Sequence, residues 1–304
     1  MRLPDLEGWA IFATVAEHQS FSGAAAAIGV SKATVSKAVG RLEAALGATL
    51  FHRTSRRLAL SESGRALLPH ARAMLAQARA AEESAHEGAT ALAGPVRLSA
   101  PMSYGLLHVA PVIAEFLAAH PAIEIELHLS DAIVDIVAQG FDVALRIASL
   151  PDSSLRARRL RPVAMQVVAA PAYLARHGSP AHPAALGEHR LLGYSNAPGA
   201  WLFRDAAGAE VAVRCAGPLI ANSGDALLPA LRAGLGMAIL PDFIVAPDLA
   251  TGAVVPVLTD WQLPPIALHL LTPPATLRPA RVEALIAFLA ERLRAPAGQF
   301  PARP

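Results

Sequence analysis

Residues 20–39 of this 304-residue chain, SFSGAAAAIGVSKATVSKAV, carry the pattern that decides the fold of its N-terminal part. Ser22 is expected to cap a first, alanine-rich helix, and Gly29 to end it, because glycine adopts a left-handed turn without strain. Ala25 is small enough for a second helix to cross there, and Ser31 is expected to cap that second helix. The spacing therefore predicts a helix-turn-helix.

The second helix keeps a polar, basic face once its apolar residues are packed against the first helix. Such a helix fits the major groove of DNA, with its N-terminal residues at base edges. The alternative is an ordinary helical hairpin, but the spacing and the basic face favour DNA binding. The residues expected to face DNA are Ser31, Lys32, Ala33, Thr34, Ser36, Lys37 and Arg41.

A small net charge conceals a local basic segment. The chain has 26 Lys and Arg against 24 Asp and Glu, a formal net charge of +2. Within residues 32–57, however, six basic residues accompany a single acid, Glu43, and such a patch attracts polyanions. Extended arms over residues 49–51 and 57–60 predict a β-hairpin around a basic tip. The hairpin residues expected to contact DNA are His52, Arg53, Arg56 and Arg57.

A long helix is expected from Ser61 onward. Its small and apolar residues recur at alternating intervals of four and three, which is typical of a heptad seam, and alanine lets two such helices approach closely. The alternative is a helix packed on its own domain, and we favour self-association. The seam residues are Leu67, Ala71, Met74, Ala78, Ala81 and Ala85.

From Pro95 the composition changes to alternating strands and helices. This order predicts an α/β domain with a parallel sheet. The predicted strands span residues 96–99, 123–129, 143–147, 165–169, 190–193, 211–214, 237–240 and 266–271. The main predicted helices span residues 106–120, 132–139, 171–176, 225–233 and 281–294.

Several classes of protein are disfavoured. A lone Cys215 excludes an internal disulfide framework. The acidic N-terminus does not resemble a signal peptide, and no apolar run of membrane-spanning length is free of charge and proline, so we expect a cytoplasmic protein. Neither metal-ligand spacing nor a nucleotide or catalytic motif appears, and we therefore expect no metal, no cofactor and no enzymatic activity.

A set of short motifs surrounds and follows the helix-turn-helix. They are Arg41-Leu42-Glu43, Leu46-Gly47, Leu50-Phe51-His52-Arg53, Arg56-Arg57, and Leu60-Ser61 with Gly64. Together with residues 20–39, they resemble the winged helix-turn-helix of LysR-type transcriptional regulators. Many of those relatives have Gln at the position of Lys32 and Arg at that of Lys37, so Lys32 is expected to alter base preference.

The resemblance extends over the second part of the chain. The stretches GPVRLSAP at 94–101, FLAAHP at 116–121, the run over 129–160 and ALRAGLGMAILPDFIV at 230–245 are similar to the effector domain of that family. It implies an α/β fold of the periplasmic-binding-protein type II, with two subdomains joined by two crossovers. The implied parts are a winged helix-turn-helix over 1–60, a linker dimerisation helix over 61–93, and an effector domain over 94–304, divided into a first subdomain (94–163 plus 270–304) and a second (164–269).

The resemblance also implies an effector site between the two subdomains, and helix N-termini there would favour an anionic group. Alternatives stay open: the three serines as helix caps, Arg146 in a structural ion pair, and the two aromatic residues in the core. The candidates are Ala100, Pro101, Met102, Ser103, Ser130, Arg146, Ile147, Trp201, Phe203, Asn222, Ser223 and Pro241.

These features predict a sequence-specific transcriptional regulator whose DNA binding responds to a small molecule. The expected partners are double-stranded promoter DNA, the effector, a second copy of the chain in a homodimer or homotetramer, and RNA polymerase. Two alternatives are a transport-associated solute-binding protein and an enzyme with an added DNA-binding module. The effector, the target genes and the sign of regulation do not follow from the sequence.

Overall fold

A computed structural model describes residues 3–53, 58–85, 92–132, 135–137, 139–149, 156–196, 200–274 and 278–294. Its N-terminal unit is a bundle of three short helices followed by a β-hairpin and one long helix. These elements are α1 (Leu6–His18), α2 (Phe21–Ile28), α3 (Lys32–Leu46), β1 (Phe51–Arg53), β2 (Leu58–Leu60) and α4 (Glu62–Ala85).

The helix-turn-helix forms as predicted, with one change at its start. Gly29 ends α2 at φ 72°, and the Ser31 side chain caps α3 by accepting from the backbone N–H of Thr34. The cap of α2 is Ser20, not Ser22, because Ser20 has the extended backbone that lets its Oγ accept from the Gly23 N–H, 3.1 Å away.

The long helix α4 is shared between two environments. Leu68 and Ala71 are buried in the core of the N-terminal unit, beside α1 and α3, with Leu67 partly buried there. Ala78 and Ala81, further along α4, are exposed. The predicted seam therefore packs on its own domain in its N-terminal half and is open to solvent at these two alanines.

The remainder of the described chain contains two five-stranded sheets, a separate hairpin and several helices. The strands are β3 (Gly94–Ala100), β4 (Ile123–Leu129), β5 (Val143–Ala148), β6 (Arg156–Val163), β7 (Met165–Ala169), β8 (Leu191–Tyr194), β9 (Ala200–Arg204), β10 (Glu210–Arg214), β11 (Ile220–Ala221), β12 (Met237–Pro241), β13 (Val255–Val257) and β14 (Ile266–Thr272). The helices are α5 (Met102–Tyr104), which continues through a π turn (Gly105–Val109) into α6 (Ala110–Ala119), then α7 (Pro171–His177), α8 (Leu228–Arg232), α9 (Asp242–Thr251) and α10 (Ala280–Arg292), with 3-10 turns at Pro183–Glu188 and Asp225–Leu227.

The first sheet has the strand order β4-β3-β5-β14-β6 and the second β11-β8-β12-β7-β13. In the first sheet β3 pairs in parallel with β4 and β5, while β14 pairs antiparallel with β5 and β6. The chain crosses to the second sheet at Ala164 and returns between Val257 and Ile266, so the return precedes residue 270. Two crossovers place the cleft between the sheets.

The helix predicted over residues 132–139 is not seen in the described part of that segment. Residues 136, 137, 139 and 140 form turns, and the Phe141 N–H donates to the Ile136 carbonyl. The segment is rich in β-branched residues, which lose side-chain freedom in a helix, and Gly140 at φ 69° leads the chain into β5.

One helix among the described residues, over 102–119, is long and apolar enough to cross a membrane. Tyr104, Val112 and Phe116 of this helix are buried in the core, whereas Met102 and Leu106 are exposed. One face of this helix therefore packs inside the domain.

Gly64→Ala is expected to lower the free energy of unfolding of the N-terminal unit by about 1–3 kcal/mol. A Cβ at Gly64 would lie 2.1 Å from the carbonyl oxygen of Leu50, which is held in the hairpin. The matched control is Gly40→Ala in α3, where no atom lies within 4 Å of the added Cβ, so its stability should stay level or rise. Urea unfolding followed by circular dichroism compares the two variants, and equal stabilities would contradict the close packing.

Candidate DNA-binding surface and effector cleft

The start of α3 presents a solvated face opposite its buried residues. Val35 and Val39 are fully buried, whereas Lys32, Ala33 and Lys37 are exposed. Exposed Ser31 and Thr34 share a 2.8 Å hydrogen bond between their hydroxyls, and partly exposed Ser36 also lies in this helix. The positive end of the helix dipole adds to the two ammonium charges there.

Arg41 differs from the two lysines. Its guanidinium donates to both carboxylate oxygens of Asp5, at 2.7 and 3.2 Å, and to Glu7 at 3.2 Å. The hydrogen bond to Asp5 raises the pKa of Arg41 above its ordinary value. Arg41 therefore ties α3 to the beginning of α1, and its charge is already compensated by two carboxylates.

The hairpin pairs in the register Phe51↔Leu60. His52 is exposed on β1, while Arg56, Arg57 and the side chain of Arg53 lie outside the described residues. The hairpin is held to α3 by Glu43, whose Oε1 accepts from the backbone N–H of Leu50 at 2.7 Å. Glu43 was absent from the sequence candidates, although its place in the RLE motif was a signal for it.

A cavity of about 160 Å³ lies between the two sheets. It gathers residues from both sheets, including several at the ends of strands. The predicted site residues that line it are Pro101, Ser103, Ser130, Arg146, Ile147 and Pro241. The lining residues that the sequence did not single out include Asp131, Tyr194, Met165, Ile239, Phe243 and Ile244.

Some of these further lining residues could have been predicted from the sequence, and others could not. Asp131 directly follows Ser130, and Tyr194 ends β8, so the rule that strand ends form the site applies to both. Met165 and Ile239 enter the cavity because β7 pairs antiparallel with β12, a pairing that the sequence pattern did not predict.

The remaining predicted residues lie away from the cavity lining. Ala100 is fully buried, and its carbonyl accepts from the Ser130 N–H. Met102 and Asn222 are exposed, and Ser223 is half-buried. None of these four is among the residues that line the cavity in the described structure.

Trp201 and Phe203 belong to the core of the second subdomain, not to the cleft wall. Their side chains are 8% and 1% exposed and pack with Leu186 and Val213. The reason is the β9–β10 hairpin, which pairs Trp201 with Val213 and buries alternate residues of β9. The core alternative is therefore the one observed.

The hydrogen-bond donors expected to hold an anion at the helix start have partners in the protein. The Met102 N–H donates to Oδ1 of Asp131 at 2.9 Å, and the Ser130 hydroxyl accepts from the Ala132 N–H. Arg146 donates to the Ser99 hydroxyl at 2.9 Å and the Leu145 carbonyl at 2.6 Å. Burial lowers the pKa of Arg146 and raises that of Asp131.

Two hydrogen bonds cross from one subdomain to the other beside the cavity. The Ser103 hydroxyl donates to the carboxylate of Asp225. The side-chain amide of Asn196 donates to the Asp131 carbonyl at 2.7 Å. These contacts hold the two sheets in the arrangement that encloses the cavity.

Family models match both parts of the chain. The model described as a bacterial regulatory helix-turn-helix protein of the lysR family matches residues 6–65, and the LysR substrate binding domain matches residues 89–294. The chain belongs to the LysR family of transcriptional regulators. The LysR resemblance inferred from the motifs and the predicted fold class are thus confirmed.

Known LysR-type proteins are similar over nearly the full length. An HTH-type transcriptional regulator of Xanthomonas campestris pv. campestris is 35% identical over 98% of this chain and 90% of that protein. The full-length structure of the Vibrio cholerae virulence activator AphB is 28% identical with a TM-score of 0.63, covering 96% of this chain and 100% of that one. CrgA from Neisseria meningitidis is 31% identical with a TM-score of 0.59, covering 94% and 98%.

This LysR-family protein is therefore a DNA-binding transcriptional regulator with a small-molecule effector domain, and regulators of this family form oligomers. Its relatives carry the names of regulators and not of enzymes. The prediction of a regulator over an enzyme is confirmed.

Ser103→Ala is expected to loosen the contact between the subdomains, because the Asp225 carboxylate loses its donor at a cost of about 1–3 kcal/mol. Amide hydrogen exchange should become about tenfold faster at the Met102 helix start and in the Asp225 turn. Ser195→Ala, at an exposed serine of the second subdomain, is the control. Unchanged exchange in Ser103→Ala would show that this bond does not hold the cleft closed.

Proposed function

We propose that this regulator binds promoter DNA through the first half of α3, dimerises through the exposed part of α4, and responds to an effector held between its two subdomains. The proposal assigns DNA binding to residues 1–60, dimerisation to 61–93 and effector binding to 94–304. It places the protein in the cytoplasm, as a homodimer or homotetramer whose DNA-bound form meets RNA polymerase.

The observation that carries the DNA-binding part is the exposed, capped start of α3. Lys32 and Lys37 are both solvent-exposed there, next to the hydroxyl pair of Ser31 and Thr34. In this proposal Lys32 contacts a base edge and Lys37 contacts a phosphate. His52 and the arginines of the hairpin tip contact the sugar–phosphate backbone of the DNA.

The exposed alanines of α4 support dimerisation. Ala78 and Ala81 are exposed on one long helix, whereas the earlier seam residues Leu67 and Ala71 pack in the core of the N-terminal unit. Two symmetric copies joined along this seam would present two recognition helices, which requires an inverted repeat in the DNA.

The cavity between the sheets supports effector control. Because its walls come from both subdomains, a ligand that fits it better in one arrangement than in the other shifts the populations of the two. That differential affinity is what couples the effector to DNA bending or polymerase contact.

Lys37→Ala should flatten the slope of log K against log salt by about 0.9, the release of one counterion. Arg41→Ala should change this slope less, because Asp5 and Glu7 already compensate its charge. Fluorescence anisotropy on the DNA upstream of the protein's own gene measures both slopes between about 50 and 200 mM salt. A Lys37→Ala slope equal to that of the wild type would remove this side chain from the DNA.

Ala78→Arg is expected to shift the protein toward monomer, because a guanidinium at a close helix–helix contact is both large and repelled by its symmetric copy. The matched control is Ala66→Arg, at an exposed position of α4 outside the seam. Sedimentation velocity compares the two variants at several concentrations. Equal association of both would place the dimer interface elsewhere.

A further inference from the structure

The effector cavity holds two opposite charges that do not contact each other. Asp131 and Arg146 both line it, and each feels the charge of the other. Within the part of the chain that the structure describes, the hydrogen bonds of Arg146 go to Ser99 and Leu145, and no ion pair joins it to Asp131. Both charges therefore lie on the lining of one cavity without pairing with each other, so one ligand can contact both.

The carboxylate of Asp131 is held from one side only. Its Oδ1 accepts from the Met102 N–H at 2.9 Å, and its own backbone carbonyl accepts from Asn196. No donor among the described residues reaches its second oxygen. This oxygen is therefore available to a hydrogen-bond donor or a cation on a ligand.

The local balance of charge disfavours a ligand that is only an anion. Asp225 lies close enough for its charge to raise the pKa of Asp131 further, after the larger effect of burial. Among the described residues that line the cavity, Asp131 and Arg146 are the charged ones. Asp225 lies nearby, and Arg161 lies behind the Tyr104 ring of the wall. A simple anion would satisfy Arg146 but would be repelled by Asp131, and burial strengthens that repulsion.

Apart from the two charged residues and Ser103, Ser130 and Tyr194, the rest of the cavity lining is apolar, and the space is small. Ile147, Met165, Ile239 and Ile266 contribute hydrocarbon surface. The volume is about 160 Å³, close to that of a cavity that holds one benzene molecule, so the ligand has roughly six to ten non-hydrogen atoms. A short aliphatic group suits these walls.

We infer that the cleft binds a small zwitterionic amino acid, whose carboxylate faces Arg146, whose ammonium faces Asp131, and whose short aliphatic side chain lies against Ile147, Met165 and Ile239. This inference rests on the proposed function, since it names the class of effector for the same cleft. It replaces the expectation of an anion at the helix start, because Asp131 already accepts the Met102 N–H there.

A series of compounds with one carbon skeleton tests the inference. Calorimetric titration of the full-length protein compares valine with isovalerate, which lacks the amino group, with isobutylamine, which lacks the carboxylate, and with the hydroxy acid analogue of valine. Valine is expected to bind best, and loss of either charged group should weaken binding at least about tenfold. Isovalerate binding as tightly as valine, or no binding by any member of the series, would overturn the inference.

Asp131→Asn supplies the second measurement, because an asparagine oxygen can still accept the Met102 N–H. This variant should lose about tenfold in affinity for valine while binding isovalerate as well as the wild type or better. Glu124→Gln, at an exposed carboxylate of β4, is the control and should match the wild type. An equal loss for both ligands in Asp131→Asn would show that Asp131 does not contact the amino group.

Promoter binding by the same preparations distinguishes a wrong ligand class from a wrong function. If the protein binds its upstream DNA but discriminates in favour of isovalerate, the ligand class is wrong and the proposed function stands. If it binds none of the tested DNA, the proposed function fails whatever the titrations show.

Discussion

The backbone of Leu50 joins the three parts on which DNA binding depends. Its N–H donates to Glu43 on the recognition helix α3, and its carbonyl accepts from the N–H of Ser61, the cap of α4. Gly64, one turn into α4, lies so close to that carbonyl that a side chain has no room. The recognition helix, the hairpin and the linker helix thus all contact the backbone of one buried residue, Leu50. The motif residues Glu43, Ser61 and Gly64 each supply one of the contacts at this joint.

The linker helix also meets the effector domain. Arg72 of α4 lies beside Gly140, where an added Cβ would be 3.1 Å from the Arg72 Cδ. Gly140 belongs to the turn that precedes β5, the strand that carries Arg146 into the effector cavity. The turn before the strand that carries Arg146 and the linker helix are therefore in contact.

Sequence reasoning succeeded where local physics decides the structure. The turn at Gly29, the cap at Ser31 and the parallel pairing of β3, β4 and β5 follow from left-handed backbone preference, side-chain capping and element order. The prediction of the α2 cap was wrong because Ser20 and Ser22 have the same side chain. Only the extended backbone at Ser20 makes it the cap. Strands β6 and β13 were missed because their pairing partners, β14 and β7, are distant in the chain. Strand β9 was missed although its partner, β10, is the next strand.

The sequence by itself determined the family, the helix-turn-helix and its polar face, since these depend on residue types at short, regular spacing. Only the tertiary structure decided which polar groups are free. It paired Arg41 with Asp5 and Glu7, buried Trp201 and Phe203 in a separate core, and placed Asp131 in the same cavity as Arg146. The physical reason is that burial and charge pairing depend on residues far apart in the chain, which the two crossovers between the sheets bring together.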